Sequence, residues 1–131
     1  MPQIEVTTND RNELIDITDK VRGMLRENDW QDGVLVLHTS HTTAGLTINE
    51  SADPSVARDI AVNLSRLVPR NGDYRHAEGN SDAHIKSSLV GCSTQVIIDS
   101  GQLRLGTWQG IFFCEFDGPR TRKVLAKFLS A

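Results

Sequence analysis

An α+β fold, with a mixed, largely antiparallel sheet and helices packed on one side, is what this 131-residue chain predicts. Three observations carry the prediction. Strand-like alternation and helix-like spacing follow one another with no linker, internal repeat or low-complexity tract between them. Turn residues punctuate the patterns at Asn9 to Asn12, at Asp32-Gly33 and around Gly101. A hydrophobic content of 38% over this length suits one core and is too small for two ordinary domains, so residues 1–131 read as a single domain.

Gln3 to Thr8 is rich in β-branched residues and reads as a strand, and beyond the turn the alternating Leu14-Ile15-Asp16-Ile17 reads as its hairpin partner. Thr18 or Asp19 caps a helix in which Val21, Met24 and Leu25 recur at helical spacing as far as Asn28. Val34 to His38 follows as an interior strand. Gly45 to Asn49 alternates Leu46 and Ile48 with Thr47 and Asn49, a short strand with Asn49 turned away from the core. Asp53-Pro54 starts a helix, because the carboxylate accepts from free N–H groups and proline is tolerated in the first turn. Val56, Ile60, Leu64 and Leu67 then form one apolar stripe ending near Pro69. Ser81 or Asp82 caps a shorter helix with Ile85 and Leu89 on one face, His84 in the first turn and Gly91 as its stop. Thr94 to Asp99 and Thr107 to Phe116 add strands, and Val124 to Leu129 reads as a last one, although Ala, Lys and Leu suit a helix as well.

Composition excludes several classes. The net charge is -3 and Lys and Arg are scattered, so no basic stripe of the kind nucleic acid requires is present. The longest apolar runs, Val34 to Leu37 and Val96 to Ile98, fall far short of the ~20 residues that cross a bilayer, so no membrane partner is expected. The N-terminus has neither a basic nor an apolar leader region, which leads to the expectation of a cytoplasmic location. Cys92 and Cys114 make no CxxC motif and read as reduced, partly buried thiols without a chemical role. Walker A, GxGxxG and GxSxG sequences are missing, which removes support for nucleotide hydrolysis, Rossmann cofactors and α/β-hydrolase chemistry.

The histidines are the most informative residues. Imidazole binds metals as a neutral base and moves protons near neutral pH. His38 ends an apolar strand, and a structural hydrogen bond is favoured over ligation. His41 opens a Thr- and Gly-rich turn where no packing reason for it exists, and a functional role is favoured. His76 and His84 are separated by a glycine-containing loop and a helix start that can fold back on itself. At a helix N-terminus the dipole disfavours imidazolium and keeps the ring neutral, as a metal ligand must be. His41, His76 and His84, with an open position for water or substrate, would suit a divalent metal, zinc before magnesium. Exposed or capping histidines are the equal alternative.

Among carboxylates, Asp53 and Asp82 are explained by helix capping, whereas Glu50 has no such explanation and is the candidate general base. Gly106-Thr107-Trp108-Gln109-Gly110 brackets polar and aromatic residues with glycines, which permits close approach of a ligand or a neighbouring chain, or merely forms a bulged turn. Arg120, in the turn Asp117-Gly118-Pro119-Arg120, offers a planar fork to phosphate or carboxylate, or pairs with Glu115 or Asp117.

Three segments in order carry a family resemblance: His41 to Glu50, His76 to Asn80 with Ala83-His84-Ile85-Lys86, and Gly101 to Gln109. Together they closely resemble the YjbQ family over almost the whole chain. The resemblance implies an α+β fold, a homotrimer, and in some members thiamine-phosphate synthase activity. It implies a metal or substrate site of His41, His76 and His84 near Glu50, Asn80 and Asp82, lined also by Gly106, Thr107, Trp108, Gln109 and Arg120 and extending across a subunit boundary. His41, Glu50 and Arg120 are then the catalytic candidates. Thr43, Asn49, Asn80, Lys86 and the Gly106 to Gln109 segment are the candidates for substrate contact. Ala77 departs from the more polar residue expected there. The joining of a pyrimidine methyl diphosphate to a thiazole phosphate needs cations for the departing pyrophosphate and an apolar surface, for which Lys86, Arg120 and Trp108 are suited. A histidine-rich site suits zinc better than the magnesium usual for diphosphates. A metal-dependent hydrolase of a small metabolite and a noncatalytic metal- or ligand-binding trimer therefore stand beside the transferase.

Overall fold

The computed structural model describes residues 1–131. In chain order the elements are β1 (Gln3–Thr7), β2 (Glu13–Asp16), α1 (Thr18–Asn28), β3 (Gly33–His38), β4 (Ala44–Glu50), α2 (Pro54–Leu67), α3 (Ser81–Val90), β5 (Ser93–Asp99), β6 (Gln102–Leu103), β7 (Gln109–Glu115) and β8 (Thr121–Ser130). The strands form two sheets, ordered β1-β8-β3-β5-β6 and β2-β7-β4. The α+β class expected from the sequence holds, with every pairing antiparallel and the strands in two sheets rather than one. No helix is long and apolar enough to cross a membrane.

Strand periodicity explains the layering, since alternate side chains face opposite sides. On β7, Ile111 and Phe113 join Leu35, Leu37, Val96, Ile98, Val124 and Ala126 of the large sheet in the main core. Cys114 on β7 and Phe116 just beyond it face the other way, against Ala83 and Val90 of α3 and Leu64 of α2. The small sheet is thus packed between the large sheet and α2 with α3. The outer face of the large sheet carries the row Ile97, Val34 and Leu129, whose two outer members are more than half exposed.

Three local expectations change. The first two strands do not form a hairpin: β1 pairs with β8 and β2 with β7, in different sheets. The link between them turns away because Glu13 accepts from the backbone N–H of Asp10, and Thr8 N–H continues the β8 pairing to Arg120. The N-cap of α1 is Ile17, which makes no side-chain cap bond, rather than Thr18 or Asp19; Asp16, one residue earlier, accepts from the N–H and hydroxyl of Thr18. Helix α3 starts after Asn80 and turns its apolar residues outward: Asp82, Ala83, Lys86 and Ser87 are buried while Ile85 and Leu89 are exposed. Asp53 caps α2 as expected, accepting from Ser55 N–H at 2.9 Å.

Candidate active site

The four histidines gather at the end of the fold where β3 finishes, β4 begins and α3 starts. His38, His41 and His84 line one depression of about 500 Å³ together with Ser40, Thr42 and Cys92. His41 and His84 also line a second, of about 370 Å³, with Asn80, Asp117, Arg120 and Arg122. His76 and His84 line a third, of about 440 Å³, beside Tyr74 and Arg75. His84 is the wall that all three share. Its ring lies edge-on to that of His76 with centroids 5.5 Å apart.

Two buried polar networks hold this end in place. In the first, Arg11 clamps the Asp82 carboxylate with two bonds of 2.9 and 3.1 Å, and Lys86 donates to Asn12 and Ser65. Burial works to push the Asp82 carboxyl up, but the hydrogen bond and charge of Arg11, with Lys86, hold it below its ordinary value. Asp117 ties this network to the cleft by accepting from Asn80 at 2.8 Å and from Arg120 at 3.1 Å. In the second, Arg122 and Glu115 form an ion pair at 2% and 0% side-chain exposure, completed by Thr8 and Thr43. Burial again opposes the Glu115 carboxylate, and Arg122, Thr8 and the Asp117 N–H outweigh it, leaving the carboxyl below the usual range. A methyl group at Gly118 would come within 2.3 Å of the Asp10 carbonyl oxygen, so glycine is required where the Asp117 to Arg120 turn meets the Arg11 loop.

The sequence-predicted residues separate into two groups. His41, His76, His84, Thr43, Asn80 and Arg120 come together at the histidine end, Thr43 being buried against Arg122. Glu50, Asn49 and Gly106 to Gln109 lie at the other end of β4, where the register pairs Glu50 with Gln109 and Asn49 with Gly110. The length of the strand, at ~3.4 Å per residue, keeps Glu50 roughly 20 Å from the histidines. Glu50 instead lines a separate cleft of about 480 Å³ with Asp10, Glu13, Asp16, Leu14 and Phe112. The glycine at 110 admits the chain itself: a methyl there would meet Ser51 Cβ at 2.6 Å. Trp108 stands 62% exposed, and Gly106 N–H donates to the Gln109 side chain in a turn. Lys86 is 1% exposed and committed to Asn12 and Ser65, so it does not face the cleft.

Nor do the histidines of one chain assemble a metal site. No three His, Cys, Asp or Glu side chains converge. His41 Nε2 accepts the Lys123 backbone N–H at 3.1 Å, so the lone pair a metal would need is in use. His76 is 3.7 Å from the exposed Glu78 carboxylate. Within one chain, therefore, His41, His76 and His84 are not arranged as ligands of a single zinc or magnesium ion.

Several site residues were not anticipated. Arg122 shares a strand phase with Val124 and Ala126, and Glu115 shares one with Ile111 and Phe113, so period-two reading places a charge of each sign in the core. That signal was available in the sequence. Arg11 and Asn12 gave none, because only the fold brings their loop to α3. Cys114 is buried, with its thiol pushed up to about 12 by burial, whereas Cys92 is exposed and lines the histidine cleft.

Comparison with known proteins gives one consistent result. Residues 2–131 match the family model described as UPF0047 protein YjbQ-like. A UPF0047 protein of Methanocaldococcus jannaschii is 56% identical over 125 residues, covering 95% of this chain and 91% of that protein. UPF0047 protein YugU of Bacillus subtilis is 48% identical over 127 residues, covering 96% of each. The crystal structure of an uncharacterised conserved YjbQ/UPF0047 protein of Clostridium acetobutylicum superimposes with a TM-score of 0.95 at 53% identity, covering 98% of this chain and all of that one. A hypothetical protein of Aeropyrum pernix superimposes with a TM-score of 0.94 at 35% identity, covering 99% and 98%.

Proposed function

The chain belongs to the UPF0047 protein YjbQ-like family, and from that premise we propose that it is a small-molecule enzyme with His84 as its proton-transfer group. The observation that supports the reading is the position of His84, half-buried and shared by three adjoining depressions. An imidazole so placed can take a proton from a substrate in any of them and return it. His76 packs edge-on against it. Arg120 at the rim and Arg122 in the wall are the cations for developing negative charge. Glu50 and Lys86 have no part in this scheme within one chain, and no step runs through a metal.

Thiamine-phosphate synthesis is the first reaction to test, because the resemblance implies it and because its departing pyrophosphate calls for the two arginines. As the resemblance also implies, the assembly is a homotrimer. The apolar row Val34, Ile97 and Leu129 and the outward Ile85 and Leu89 supply surface for it. The experiment uses full-length protein whose mass has been measured by light scattering; a mass of one chain would exclude the trimer. Wild type and His84→Gln are incubated with the pyrimidine methyl diphosphate and thiazole phosphate, then with a panel of phosphate monoesters. The variant is expected to lose about 10²- to 10⁴-fold in kcat with an unchanged unfolding midpoint. Equal turnover by wild type and variant, or no turnover of any of these compounds by wild type, would overturn the proposal.

A further inference from the structure

We propose that His41 Nδ1–H and Arg122 Nη1 form a subsite for the oxygens of a phosphoryl group in the wall of the histidine cleft. The inference deepens the reading above and rests on it, since it names the anionic part of the substrate for the same cleft.

The first support is the way β8 outruns β3. The register ends with His38 opposite Leu125, so Lys123 has no partner on β3 for its backbone groups. The chain beyond β3 supplies both partners from side chains: Thr39 Oγ1 donates to the Lys123 carbonyl at 2.9 Å, and His41 Nε2 accepts the Lys123 N–H at 3.1 Å. A nitrogen that accepts carries no proton, so the neutral ring carries it on Nδ1. Burial and the nearby charge of Arg122, with Arg120 and Lys123, disfavour imidazolium against the opposing pull of Glu115. His41 is therefore built as a donor, and what fits it is an acceptor.

The second support is Arg122. Its Nε and Nη2 are spent on Glu115 and Thr43, while Nη1 has no partner in the chain. The residue is 98% buried by its 2% exposure, yet Nη1 is not a sealed orphan and the residue forms part of the cleft wall. A guanidinium locked through two nitrogens presents the third without further loss of freedom. Of the carboxylates lining the same cleft, Asp117 is occupied by Asn80 and Arg120, and Glu78 is exposed beside His76. Ser40 and Thr42 add hydroxyls. A carboxylate accepts about four bonds but only through two coplanar oxygens, whereas donors spread around a cleft wall suit the three outer oxygens of a tetrahedral phosphoryl group.

The test is ¹⁵N-histidine NMR of the full chain at neutral pH with inorganic phosphate as the probe. Wild type is expected to show the His41 proton on Nδ1 and a saturable shift of that signal. His41→Asn, whose amide falls where Nδ1–H was, is expected to keep phosphate affinity within about threefold, and His41→Gln, whose amide reaches only the Nε2 position, to weaken it about tenfold or more. A proton on Nε2, no saturable shift, or acetate competing as strongly as phosphate would overturn the subsite. Loss of phosphate binding with His84-dependent turnover intact would sink this inference alone. Phosphate binding without any turnover would support it and sink the enzymatic reading instead.

Discussion

The two ends of β4 sit on one strand and are built in opposite ways. At the start, His41 and Thr43 are fixed by hydrogen bonds to Lys123 and Arg122, and behind them lie one buried and one partly buried ion pair joined to α3 and the Asp117 turn. At the finish, Glu50 is partly exposed among other carboxylates, and Trp108 stands in solvent. Buried ion pairs add little net stability compared with apolar packing of the same volume, because desolvation offsets their attraction. Their concentration at one end is therefore better explained by positioning than by stability. A site needs donors held in place before the ligand arrives, and the histidine end has that support.

The comparison breaks most visibly if the support is removed. Glu115→Ala leaves the Arg122 guanidinium buried without its counter-charge, and a loss of about 3–5 kcal/mol in chemical denaturation is expected. A loss below about 1 kcal/mol would show that the pair is solvated and supports nothing. Acid should reveal the same asymmetry more gently. The folded pKa of His41 lies below its unfolded value, so the folded state takes up its proton less readily and stability falls as pH drops below about 6.5. Glu115 and Asp82 also have folded pKa values below their unfolded ones. Their contribution is full above about pH 4.3 and is lost as pH falls through the folded values. Unfolding midpoints measured against pH should thus decline in two stages, and in His41→Asn the stage near pH 6.5 should vanish. A midpoint flat from neutrality to pH 5 would contradict the His41 environment.

Much of the fold was legible because it follows from local pattern. The α2 cap at Asp53 and the core strand β3 depend on spacing and turn chemistry alone. What was not legible depends on pairing at a distance. β1 and β2 look like a hairpin locally, yet each finds a better partner more than a hundred and about a hundred residues away respectively, in β8 and β7. Helix α3 misleads for a related reason: Ile85 and Leu89 suggest an inner face, but Asp82 and Lys86 are drawn inside by Arg11, Asn12 and Ser65. For the site, the histidines were identifiable as residue types, and their convergence on His84 was not. Glu50 was singled out because nothing local explained it, and the strand then carries it away from the cleft.

The smallest effect is expected at that far end. Glu50 offers no side-chain bond whose loss would be felt, so Glu50→Gln should change stability by no more than about 0.5 kcal/mol. Turnover in the histidine cleft should stay within about threefold of wild type if the cleft is complete in one chain. A fall as large as that of His84→Gln, with stability unchanged, would have a specific meaning. The roughly 20 Å of strand between Glu50 and the histidines forbids their meeting within one chain, so a second chain would have to bring its Glu50 to the first one's cleft. Mixing the two inactive variants would then decide the matter: activity recovered in mixed assemblies requires shared sites, because each variant supplies the intact half that the other lacks.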